Sequence, residues 1–178
     1  MDDDNVREVF KKITEGGSSK SAEMTKMEEK TQPYTATKKI TDSSDRILVD
    51  GSNVAWASKK EGKPNIDNIE IVQSELEKEG YKNPIIIVDA NLRHIIPKID
   101  KERFEGWIDE GKVIQAPAGV KADDELLKFA DEDEEELKIV SNDTFKGHEN
   151  EYSWLRDKDR RVPFNIIENR AVLHFSRG

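Results

Sequence analysis

A three-layer α/β domain with a mainly parallel central sheet is the fold this sequence predicts. Three observations carry that expectation. Apolar runs such as "RILVD" (46–50), "PIIIVD" (84–89) and "LKIVSND" (137–143) lack the polar alternation of a half-exposed strand. Amphipathic stretches at helical spacing separate them. Strands of that kind are buried on both faces, so helices must cover both sides of the sheet they form.

The elements follow in order. "RILVD" is the first strand. "NIDNIEIVQSELEKEG" (65–80) is a helix with Ile66, Ile69, Val72 and Leu76 on one face and Gly80 placed to end it. "PIIIVD" is the second strand. Asp100 is placed to cap a helix that buries Phe104, Trp107 and Ile108 and closes at Gly111. "KVIQAP" (112–117) is the third strand, stopped by Pro117. "KADDELLKFADED" (121–133) is a helix burying Leu126, Leu127 and Ala130, and "LKIVSND" is the fourth strand. A short helix over 148–156 anchors through Tyr152 and Leu155. "VPFNII" and "AVLHF" are terminal strands, or one strand and an extension, around the turn "ENR". Residues 1–44, rich in Ser, Thr, Gly, Lys and Glu, have too little to bury and read as a disordered arm that solvates the chain or binds a partner. Residues 45–178 form one domain.

Of the 178 residues 38% are charged and 34% hydrophobic, with a formal net charge of -9. That balance argues against a constitutive nucleic-acid coat or a membrane-surface binder, both of which need a basic excess. The lack of cysteine excludes disulfides, thiolate zinc sites and cysteine nucleophiles, and it suits the reducing cytoplasm, the expected location. "MDDDNVREVF" is too acidic for a signal peptide, and no run approaches the roughly 20 apolar residues of a membrane span. No G-x-x-x-x-G-K-[ST] occurs, so a P-loop NTPase is set aside.

The strands of a parallel sheet share one C-terminal edge, where α/β ligands bind. Asp50 ends the first strand, with Asn53 just beyond. Asp89 ends the second, and is the weakest candidate. Asp123 and Asp124 open the helix after the third. Ser141, Asn142 and Asp143 end the fourth. Any one of these acids reads as a cap or a turn residue. Together they repel: two like charges ~4 Å apart cost about 4 kcal/mol at an effective dielectric near 20. Such a cluster needs protons or a cation. Oxygen ligands without cysteine or clustered histidine suit Mg²⁺ or Mn²⁺.

The blocks "ILVDGSNVAW", "ADDELLKFA" and "LKIVSNDTFKGHENEYSWL" together resemble the NYN branch of PIN-like nucleases, most closely the Regnase (MCPIP-type) ribonuclease domain, from about Arg46 to the C-terminus. The resemblance implies a PIN-like, Rossmann-like α/β/α fold and a metal-dependent endoribonuclease. Asp50, Asn53, Asp123, Asp124 and Asp143 fall on that family's metal-site positions, and Arg93 lies near a functional basic residue. Two features depart from the pattern. Gly147 stands where the family has another acid, followed by His148 and Glu149. The CCCH zinc finger of the eukaryotic members is not within these residues, so their RNA-element specificity is not carried over.

On this reading Asp50, Asp124 and Asp143 hold Mg²⁺ or Mn²⁺, and Asn53 and Asp123 position water or a second ion. The RNA is single-stranded or a stem-loop. Arg93, Lys121, Lys146, Arg160 and Arg161 are the candidate phosphate contacts of an otherwise acidic chain, although "RDKDRR" also reads as a solvated surface. Trp56 stacks a base or packs at the rim. A homodimer is an expectation from the resemblance alone. A catalytically weak PIN-like interaction module is the main alternative. A von Willebrand A-like metal module is less suited, because Val54 stands where its loop needs serine, and a haloacid-dehalogenase site would need aspartate at Ser52.

Overall fold

The computed structural model describes residues 45–59, 61–133 and 136–176; the expected arm at 1–44 lies outside the described residues. Strand β1 (Arg46–Asp50) runs straight into helix α1 (Gly51–Ala57), followed by α2 (Asp67–Lys78) and β2 (Asn83–Val88). A short α3 (Leu92–Ile95) and a 3-10 turn (Lys98–Asp100) lead to α4 (Lys101–Asp109), β3 (Val113–Gln115) and α5 (Ala122–Glu132). Strand β4 (Ile139–Val140), two 3-10 turns (Ser153–Arg156 and Lys158–Arg160) and β5 (Arg161–Val162) follow. The last strands are β6 (Phe164–Ile167) and β7 (Arg170–Leu173).

Five strands form one parallel sheet in the order β3-β2-β1-β4-β5. The chain builds outward from β1 to β3, then crosses back to add β4 and β5 on the other side of β1. The direction of winding therefore reverses between β1 and β4. That is the point at which open α/β sheets leave a crevice beyond their strand ends.

Alternation along β1 divides the core in two. Ile47 and Val49 join Val54 of α1, Val72 and Leu76 of α2, and Phe104 and Trp107 of α4. Leu48 joins Ile85 and Ile87 of β2 with Leu126, Leu127 and Ala130 of α5. Both faces are dry, so a one-residue slip would exchange every contact of the central strand. Each fully buried aliphatic side chain contributes about 1.5–3 kcal/mol. The expected α/β/α layering is present, and among the described residues no helix is long and apolar enough to cross a membrane.

Several elements differ from expectation for local reasons. The terminal strands leave the main sheet: β6 and β7 pair antiparallel around Glu168 and Asn169, both at positive φ, a two-residue hairpin turn whose twist matches the flanking strands. Asp100 does not cap α4 with its side chain. Its buried carboxylate pairs instead with Arg103 at 3.3 Å, and the 3-10 turn feeds directly into the helix. The expected helix over 148–156 is reduced to the 3-10 turn Ser153–Arg156. Helix α1 fills a stretch whose Gly, Ser and Asn favour a turn. Its C-terminal end is closed by the buried Asn68 of α2, whose carboxamide nitrogen lies 3.1 Å from the carbonyl oxygens of Val54 and Ser58.

Gly51 is needed for closeness rather than for bending. A Cβ there would stand 2.6 Å from Val88 Cγ1, 2.8 Å from Ile86 Cγ2 and 3.1 Å from the Ile87 carbonyl oxygen, so α1 could not start against β2. Gly106, inside α4, has nothing within 4 Å of the same built atom. We expect Gly51→Ala to lower unfolding stability by about 1–3 kcal/mol through overpacking. Gly106→Ala should raise it by about 0.5–1 kcal/mol through helix propensity. Urea denaturation of the two variants tests the pair; equal and opposite signs reversed, or no difference, would contradict the packing account.

Candidate active site

Asp50 is at once the last residue of β1 and the cap of α1. Its Oδ1 accepts the Asn53 backbone N–H at 3.0 Å, and its Oδ2 accepts the Ser141 hydroxyl at 2.8 Å. The side chain therefore ties β1 to the end of β4 across the crevice. Ser141 Oγ in turn accepts the Asp143 N–H at 3.0 Å, and Asn53 Oδ1 accepts the Asn142 N–H at 3.0 Å. Asn142 clamps the main chain of Phe164 from both sides, donating to its carbonyl at 2.9 Å and accepting its N–H at 3.0 Å. Asp143 Oδ1 accepts the N–H of Phe145, which sits at φ 51 with its ring buried. The loop carrying Asp143 is thus pinned at both ends.

A matching set of bonds lies on the other side of Asp50. Ser52 Oγ accepts the Asp89 N–H at 2.8 Å, and Asp89 Oδ1 accepts the N–H of Ala122 at 2.9 Å. Asp89 therefore satisfies the first donor of α5 and docks the helix whose next two residues are Asp123 and Asp124. This is a positioning duty for the acid that the sequence made the weakest site candidate.

The electrostatics follow from burial. Asp50 is 3% exposed, and desolvation pushes its pKa up to about 7 against the pull of its Asn53 and Ser141 hydrogen bonds, with Asp123 and Asp89 adding to the rise. Burial also raises Asp123, helped by Asp143, Asp89 and Asp124 and opposed by His148. Acids from four segments act on one another here. Asp124 stands on the exposed side, its Oδ1 3.8 Å from His148 Nε2. Among the described residues no three carboxylate or imidazole side chains stand together as a ready metal cage. The chemistry of the side chains nevertheless fits a hard divalent cation: the available donors are carboxylate oxygens, they repel one another, and those of Asp124 and Asp143 are exposed.

The basic candidates divide. Lys121 precedes α5 and lines an open cleft beside Ser52 and Asp89. Lys146 is exposed in the loop after β4. Arg161 lies half-buried behind the rim, 3.3 Å from the Ser141 carbonyl oxygen. Arg93 is turned toward α4, paired with Glu105 at 3.0 Å. Arg160 is not brought to the rim as an open phosphate contact. It is buried, bonded to the carbonyls of Leu137 at 3.0 Å and Ala130 at 3.2 Å, and stacked 4.4 Å from the centre of the Trp154 ring. Gly147 has φ +103, a conformation unsuited to any side chain, so an acid at that position would strain this loop. Ser52, Ser141 and Asn142 had no assigned task in the sequence; their only signal was polar character at strand ends.

The raised Asp50 pKa gives a stability prediction. The folded chain holds that proton up to about pH 7 and the unfolded chain only to about 3.8, so folding binds a proton between them. The resulting stabilisation is complete below pH 3.8 and is lost as pH rises through 7, on the order of 4 kcal/mol in all. Metal-free protein should lose Tm between pH 5 and 8 more steeply than Asp50→Asn, and millimolar Mg²⁺ at pH 8 should restore the parent but not the variant. Parallel Tm profiles for the two proteins would contradict the assignment.

Comparison with known proteins gives the family. The model for the Zc3h12a-like ribonuclease NYN domain matches residues 43–176. No curated protein matches the chain. Two solved structures share the fold. A crystal structure of nuclear proteinaceous RNase P 2 (PRORP2) from A. thaliana matches with TM-score 0.59 and 22% identity over 74% of this chain. A second Arabidopsis thaliana PRORP2 structure matches with TM-score 0.58 and 22% identity over 74% of this chain. The match covers 29% of each of those chains, so this chain spans under a third of their length. The family match spans the whole described region, β1 through β7, and the chain belongs to the Zc3h12a-like ribonuclease NYN domain family.

Proposed function

We propose that the chain is an endoribonuclease that hydrolyses RNA phosphodiester bonds at the C-terminal edge of its sheet, with Mg²⁺ or Mn²⁺ as cofactor. One observation carries the reading. The buried Asp50 has both oxygens engaged by the chain, and the charged groups that shift it are other carboxylates. A folded protein that gathers acids in this way has a use for a cation. The family match supports ribonuclease chemistry.

Asp50, Asp124 and Asp143 are the proposed holders of the ion. When bound, it supplies Lewis acidity, polarising the phosphoryl oxygens and making water nucleophilic near neutral pH. The rest is done by the chain. Asp50 is held in one orientation by the Asn53 N–H and the Ser141 hydroxyl. Asn53 has its carboxamide oxygen committed to Asn142, so it offers its NH₂ as a donor toward the rim. Asp123, half-buried beside Asp143, accepts a hydrogen bond from water and so positions it, or positions a second ion. Lys121, Lys146 and Arg161 contact the phosphates on either side, and Arg93 joins them only by leaving Glu105.

The catalytically weak module remains a distinct reading, favoured by Gly147 and by the His148 ring standing 3.8 Å from Asp124. The two part in one assay. Purified protein with Mg²⁺ or Mn²⁺ should cut single-stranded or stem-loop RNA, while Asp50→Asn and Asp143→Asn should each lose roughly 100-fold or more in rate, about 2.7 kcal/mol of barrier. Cleavage should also weaken steeply between 50 and 200 mM salt, as phosphate contacts require. Variants that cut as well as the parent, or a parent that never cuts, would overturn the nuclease.

A further inference from the structure

Beside the acid cluster lies an open cleft of about 520 Å³ between the loop after β2, the loop after β3 and α1. It shares Ser52 and Asp89 with the site, so its floor is continuous with the bonds that set Asp50 and α5. Its apolar wall is Trp56, Leu92 and Ile95, and beyond Ser52 and Asp89 its polar side chains are Asn91 and Lys121. Trp56 is the informative member. Its α1 neighbours Val54 and Ala55 are fully buried, yet Trp56 is 39% exposed. Trp56 therefore offers an aromatic surface within the cleft's wall, beside the buried Leu92.

We propose that this cleft receives one unpaired nucleobase of the RNA, from the nucleotide flanking the phosphate at the acid cluster, with Trp56 as its stacking surface. The inference rests on the ribonuclease reading and adds where the chain of RNA runs and in what state. Every base offers a face for stacking on an aromatic ring, and such stacking tolerates sequence differences. Lys121 lines the cleft and suits the phosphate that follows such a base; the Lys59 Nζ stands over the Trp56 ring, 5.3 Å from its centre, and swings aside as the base stacks. The Asn91 carboxamide can both donate to and accept from a base edge. A base inside a duplex has no exposed face to give, so the RNA is single-stranded at this position even when the rest is a stem-loop. The strand then crosses from the β2–β3 side, over Asp50, to the β4 side, where Lys146 stands.

The test scans a single abasic ribonucleotide along a short single-stranded RNA that the protein cuts at one bond. At one position next to that bond, loss of the base should raise KM about tenfold with a smaller effect on kcat. In Trp56→Ala the same position should no longer matter, while Trp56→Phe, which keeps a ring, should retain most of the effect. Unchanged Tm in both variants shows that the fold is intact, as the exposure of Trp56 leads one to expect. If cleavage proceeds but the scan is flat, or Trp56→Ala keeps the full abasic effect, the base cleft is wrong and the nuclease stands. If the protein neither binds nor cuts any RNA, both readings fall together.

Discussion

Two hydrogen bonds to one buried carboxylate hold this structure's working edge together. Asp50 takes the backbone N–H of Asn53 on one oxygen and the hydroxyl of Ser141 on the other. The first bond starts α1 immediately after β1. The second joins β1 to β4 where the winding of the sheet reverses. Two-residue strands such as β4 and β5 have little ladder of their own. Their registry at the rim therefore depends on these side-chain bonds and on the Asn142 clamp to Phe164.

The bonds form a continuous path. It leads from Ala122 at the start of α5 through Asp89 and Ser52, then by way of α1 and Asp50 to Ser141 and Asp143. Four segments far apart in sequence are held in fixed relation by it, each bringing an acid or presenting one. The arrangement opposes stability, since a carboxylate in a dry site beside other carboxylates prefers to be protonated. A core that buries both faces of β1 offsets it. Local strain against global packing is the pattern expected where a fold is shaped for a ligand.

Much of this was legible in the sequence. The unbroken apolar runs specify a buried parallel sheet, and acids at three strand ends and one helix start specify one shared rim. What escaped was decided by contacts between distant segments. Helix α1 was hidden because Gly, Ser and Asn are poor helix formers; the close fit of Gly51 against Ile86 and Val88 overrides propensity. Arg160 was hidden in an alternating charge run, because an arginine can bury its stem and spend its donors on carbonyls. Asp100 suggested a cap and serves as a buried ion-pair partner. The serines at 52 and 141 could not be assigned, since their partners, Asp89 and Asp50, lie 37 and 91 positions away.

The central claim is that the acids at this rim exist to hold a cation. The most direct measurement is anomalous scattering from crystals of the protein grown with millimolar Mn²⁺. The account predicts a manganese peak at the C-terminal edge of the sheet, with Asp50 and Asp143 among its oxygen ligands and Asp124 turned away from His148 to join them. A map with no anomalous peak at that edge, in protein whose Asp50 still bonds Asn53 and Ser141, would contradict it.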